Sequence, residues 1–70
     1  MKTDVAYNVK SYYTEHYYNS DRVWETETFK KLTDATFEMF ELLTEDEMFA
    51  VKIEKVVNGK IVESNTFKKI

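Results

Sequence analysis

The sequence has 70 residues, 43% hydrophobic and 33% charged, with five Tyr, five Phe and one Trp but no Cys and no Pro. No disulfide can form, the single His16 cannot build a tetrahedral zinc site, and a core this small supplies only about 3–5 kcal/mol, so aromatic packing or association must make up the difference. A net charge of −3 argues against a general nucleic-acid binder, and without an apolar run of about 18 residues or a hydrophobic leader at the start, the expectation is a single cytoplasmic domain, 1–70, off the membrane.

Val5, Tyr7, Val9 and Tyr13 alternate with Ala6, Asn8, Lys10 and Tyr12. This period of two, in β-branched and aromatic residues, predicts a first strand. Asn19-Ser20-Asp21 is a turn signal, and Val23 to Phe29 alternates again. The two strands make a long hairpin with Tyr17 and Tyr18 just before its tip. Thr33 or Asp34 suits a helix N-cap, and Ala35 to Leu43 is rich in helix-favouring Ala, Glu, Met and Leu. Thr44-Glu45-Asp46 ends that helix. Met48 to Val57 reads as a third strand, with Phe49, Val51 and Ile53 on one face. Asn58-Gly59 is the strongest turn signal in the chain, and a fourth strand runs from Lys60 to Phe67. The fold class is therefore α+β: an antiparallel sheet with one helix, ββαβ plus a C-terminal fourth strand. A two-residue turn pairs Val57 with Lys60 and sets Ile53 opposite Ser64. A bulged turn pairing Val57 with Ile61 matches Val51 to Phe67 and Lys55 to Glu63, and is the preferred register.

At about 100° per residue, Asp34, Glu38, Glu41 and Glu45 share one narrow strip of the helix. Met39, Phe40 and Leu43 lie opposite, as the natural contacts with the sheet, while Phe37 and Leu42 flank the acidic strip. Phe29, Phe40 and Phe49 are expected in the core, with Trp24 and the Tyr cluster covering the hairpin. Phe37 is left over. Either sheet curvature or the hairpin covers it, or it belongs to an interface, where aromatic anchors ringed by polar groups dominate the energetics. Charge is unevenly spread along the chain. Residues 23–50 carry two lysines against eight carboxylates, whereas residues 51–70 carry five lysines against two. An acidic middle of this kind is either a solvated face or a complement to a basic partner.

Catalysis calls for a nucleophile, a positioned base or a metal. The chain has no Cys, no Gly-rich phosphate loop and no second His. Glu25 and Glu27 share a strand face, but a chain this small makes a poor water-excluding pocket for them. No catalytic residue, metal site or cofactor is expected, and the chain does not read as an enzyme. His16 reads as a packing residue of the hairpin. The Tyr cluster lacks the interleaved basic residues of a base-stacking platform, so core, dimer or protein interface suits it better.

From Glu27 to Val56, with no gap, the chain resembles the short phage-encoded uracil-DNA glycosylase inhibitors, which are small acidic homodimers. The resemblance runs through the end of the second strand, Lys30, Phe37-Glu38, Asp46-Glu47 and the strand Val51-Lys52-Ile53-Glu54-Lys55-Val56. Tyr7-Asn8-Val9 is similar to that family's first strand if the hairpin loop here is longer. About two thirds of the chain is covered, by a pattern of residue types rather than a signature motif.

The resemblance implies an acidic surface that occupies the enzyme's basic DNA-binding groove, and an apolar groove at the dimer interface that takes the side chain the enzyme wedges into DNA. Carried over, Glu27 is an acidic contact, Phe37 an interface and pocket residue, and Glu38 a phosphate-like carboxylate. The family's aromatic one turn after Phe37 is Glu41 here, with Phe40 beside it as the substitute. The family also ends near Val57, where this chain continues into a fourth strand.

The expected partner-binding residues are thus Glu27, Asp34, Phe37, Glu38, Phe40, Glu41 and Glu45, with Phe37, Phe40 and Leu42 at a homodimer interface. The expected function is inhibition of a host uracil-DNA glycosylase by DNA mimicry in the bacterial cytoplasm. The alternatives are a small acidic phage protein that blocks another DNA-binding host enzyme, such as a nuclease, and a structural dimer module with no inhibitory role.

Overall fold

The computed structural model describes residues 3–68. In chain order it has β1 (Val5–Tyr12), α1 (Glu15–Asn19), β2 (Glu25–Phe29), α2 (Leu32–Leu43), β3 (Ala50–Val57) and β4 (Lys60–Lys68). The four strands form one sheet in the order β2-β1-β3-β4, antiparallel at every pairing. The α+β class and the four strands are as expected, with a second helix where only one was expected.

The hairpin tip is not an open loop but holds α1. Thr14 is extended and its hydroxyl accepts the Tyr17 amide, which caps the short helix. The chain then reverses at Ser20-Asp21, with Asp21 at φ 53, a conformation that Asp tolerates better than most residues. This insertion leaves β1 and β2 in register, with Tyr7 opposite Phe29, Val9 opposite Glu27 and Ser11 opposite Glu25.

α2 begins at Leu32, with Lys31 as its N-cap and no capping side-chain bond. Thr33 and Asp34 therefore lie inside the first turn rather than at the cap. The two-residue link from Phe29 starts the helix early, and Asp34 faces the positive end of the helix dipole instead.

α2 lies over β1 and β3. The core cluster is Val9, Ala35, Met39, Met48, Val51 and Ile53, with Tyr7, Tyr13, Phe29, Leu42 and Leu43 packed around it. Three expectations are corrected. Phe40 is 59% exposed and not in the core, and Leu42, expected at a dimer interface, packs instead on the core cluster. The helix is rolled towards Ala35, which is fully buried. A small side chain there lets the helix approach the sheet closely, and this roll swings Phe40 out. Phe49 is likewise not a member of β3's inner face. Met48 fills that place in the core, and Phe49 turns to Tyr18, with ring centroids 5.6 Å apart.

The opposite face of the sheet is capped at one end by α1. Tyr12 is fully buried there, meets Tyr18 edge-on at 5.4 Å and donates a hydrogen bond to Asp21 at 3.1 Å. Desolvation, with the Asp21 bond and charge behind it, pushes its hydroxyl pKa up to about 12. Further along this face Glu54, nearly buried, lies 2.9 Å from Lys10 Nζ.

The β3–β4 hairpin settles the register question in part. Val51 pairs with Phe67 and Lys55 with Glu63, as the bulged reading requires, but Val57 pairs with Lys60. The turn is the tight two-residue kind, and the bulge sits at Val62, between the pairs Lys55–Glu63 and Val56–Ile61. Asn58 and Gly59 both have positive φ, 52 and 83, as a type I′ turn demands. The Asn58 side chain also accepts the Asp4 amide at 3.0 Å, which ties the turn to the start of β1.

Candidate partner-binding face

Because Glu27 pairs with Val9 and Glu25 with Ser11, both carboxylates rise from the edge strand β2 on the side that carries α2. Glu38 comes down to meet them from the helix. The three carboxylates, with Val9, Ser11 and Leu42, line one narrow cleft. Glu38 is half-buried there and its carboxyl is held above the usual carboxylate range, first by desolvation and then by the negative charges of Glu27, Glu41, Glu25 and Glu45. Glu41 continues this flank one turn on. Glu45 follows just past the helix C-cap, Thr44, and accepts a hydrogen bond from the Tyr13 hydroxyl. That bond raises the Tyr13 pKa. Asp34 stands exposed on the same flank at the helix N-terminus.

The structure therefore brings together Glu27, Glu38, Glu41 and Glu45 and adds Glu25, which sequence reasoning left out of the site. The signal for Glu25 was present, since Glu25, Glu27 and Phe29 alternate onto one face. What the sequence did not show is that this face lies under the acidic side of the helix. Like charges gathered on a surface destabilise the fold and project a negative potential towards any basic partner.

The other flank of α2 is apolar and open. Leu32, Phe37 and Phe40 are 53%, 69% and 59% exposed, and with Thr33 and Thr36 they line a shallow hollow along the helix. Phe37 sits at the crest of the helix, between this hollow and the acidic strip. Three large apolar side chains left in water on neighbouring turns form a patch of the kind that marks interaction surfaces. Among the described residues no group of His, Asp or Glu side chains has an arrangement that could hold a metal ion, and no helix is long and apolar enough to cross a membrane.

Compared with known proteins, the chain matches no family model, no curated protein and no solved structure.

Proposed function

We propose that the chain is a protein inhibitor of uracil-DNA glycosylase that acts by DNA mimicry, as a homodimer. The observation that carries the reading is the convergence of Glu25, Glu27, Glu38, Glu41 and Glu45 on one flank of α2, beside the exposed Phe37 at the crest of the helix. The resemblance from Glu27 to Val56, which itself runs through Glu27, Phe37 and Glu38, points the same way. In this reading the carboxylates oppose lysines and arginines that otherwise hold DNA phosphates. Phe37 and Phe40 supply the apolar contact. Desolvation raises the Glu38 carboxyl first and the neighbouring carboxylates second, and a cationic partner would relieve the second of these.

The test is uracil excision from an oligonucleotide by purified bacterial uracil-DNA glycosylase, with and without the chain. Inhibition at micromolar protein or below, weakening as salt rises, supports the reading. No inhibition at micromolar protein refutes it. The same acidic face also suits another DNA-binding host enzyme, and a pull-down from bacterial lysate that captured a nuclease instead would move the assignment there.

A further inference from the structure

A second concave site lies beyond the end of α2 and shares only Glu45 with the acidic flank. Its walls come from separate parts of the chain. Tyr13 follows β1, Tyr17 projects from α1, Trp24 precedes β2, and Glu45, Asp46 and Glu47 form the link from α2 to β3. Together they line an open cleft of about 650 Å³.

Tyr13 meets the Trp24 ring edge-on, with centroids 5.2 Å apart and planes at 81°. Tyr17 lies nearly parallel to Trp24, at 6.1 Å and 19°. The wall is held in place. The Trp24 amide bonds to the Ser11 carbonyl at 2.8 Å, Thr14 caps the helix that carries Tyr17, and the Tyr13 hydroxyl is tied to Glu45. None of the lining residues is cationic. Elsewhere the protein sets its own lysines on aromatic faces, with Lys68 over Tyr18 at 4.8 Å and Lys52 over Tyr12 at 5.8 Å.

Trp24 is 58% exposed, although a large ring held by its neighbours at the mouth of a cleft loses water-contact area only when something covers it. Aromatic faces attract a cation through the ring quadrupole, Trp most strongly. The carboxylates alongside select the same sign of charge. We propose that this cup binds the guanidinium of an arginine side chain on a protein partner. A planar, weakly hydrated guanidinium stacks flat on an indole while its edge donates to a carboxylate. A compact ammonium in so open a cleft keeps its water. The proposal goes beyond the inhibitor reading and stands or falls separately from it, since it needs no glycosylase.

The test uses the whole chain, isotope-labelled, titrated with the blocked tripeptide acetyl-Gly-Arg-Gly-amide and with the same peptide carrying citrulline or lysine. Trp24 is the only tryptophan, so its indole N–H signal and its fluorescence report on the cup directly. Saturable shifts of Trp24 and Tyr17 with the arginine peptide are expected. Citrulline should give none, and lysine should bind at least about fivefold more weakly, for want of the flat stack and forked edge of a guanidinium. Trp24→Ala should weaken arginine binding about fivefold or more, and so should the pair Asp46→Asn and Glu47→Gln. The paired substitutions lie in an exposed loop, so they keep the test decisive if Trp24→Ala disturbs the hairpin. The proposal is overturned by an absence of Trp24 shifts at ~50 mM arginine peptide, where a Kd as weak as about 0.1 M still registers. It is equally overturned by citrulline or lysine matching arginine, or by undiminished binding in the loop variant.

Discussion

Phe37→Ala separates a side chain that holds the fold from one that holds a partner. Phe37 is 69% exposed, so of the roughly 200 Å² that a Phe side chain offers, only about 60 Å² is withdrawn from water. At about 25 cal/mol per Å² that burial stabilises by about 1.5 kcal/mol at most, because the unfolded chain already covers part of it. Alanine keeps some of this contact and favours helix by about 0.5 kcal/mol over Phe. The net cost to folding is therefore expected at about 1 kcal/mol or less. An aromatic anchor at an interface costs about 2 kcal/mol or more when truncated, which is a loss of about 30-fold in affinity. Met39→Ala is the counterpart. Met39 is 4% exposed within the core, and its truncation should cost about 2–5 kcal/mol of folding. Urea unfolding of dilute protein, followed by Trp24 fluorescence, measures stability, and uracil excision measures inhibition. Phe37→Ala that is stable but about 30-fold weaker as an inhibitor fits the reasoning. A loss of more than 2 kcal/mol of folding stability would show Phe37 inside the structure. Unchanged inhibition by a stable variant would remove its role as anchor.

Other expectations concern charge and backbone. Glu38→Gln should stabilise the fold at neutral pH by about 0.5 kcal/mol, because it removes a charge that is partly desolvated and set among other carboxylates. Because the folded carboxyl titrates above its unfolded value, Glu38 loses stability as pH rises through the folded value, so the advantage of Gln should vanish in acid. Glu38→Lys should weaken inhibition most at low salt, and an excision assay run from low to high ionic strength reads the difference. For Tyr12 the folded hydroxyl titrates near 12 against 10 when unfolded. Between those values the unfolded chain sheds its proton first, so at pH 11 wild type loses about 1.4 kcal/mol that Tyr12→Phe retains. Urea midpoints of both proteins at pH 8 and pH 11 should show the gap between them closing. Gly59→Ala meets no neighbouring atom, so only its φ of +83 opposes the change. Thermal unfolding should report a cost of about 1–2 kcal/mol.

The sequence by itself determined the strands, the main helix and the turn, because each rests on local chemistry. Period-two alternation specifies β1, β2 and β3, and Asn58-Gly59 specifies a hairpin through the positive φ values its two residues accept. The acidic strip was legible too, since Glu38, Glu41 and Glu45 follow helical spacing whatever lies beneath. Thr14 could have announced α1 as a cap, but that helix is only Glu15–Asn19 and has no buried residue to give it a pattern. The roll of α2 was decided only by the tertiary structure. Its apolar residues, from Leu42 through Ala35 and Met39 to Phe40 and Phe37, cover more of the circumference than one sheet face can bury. Hydrophobicity alone cannot choose among rotations of such a helix. Close approach at Ala35 chose one, and the same rotation set Phe40 and Phe37 in water and laid Glu38 over Glu25 and Glu27. Side-chain volume, which acts only when helix and sheet meet, thereby decided which residues became core and which became surface.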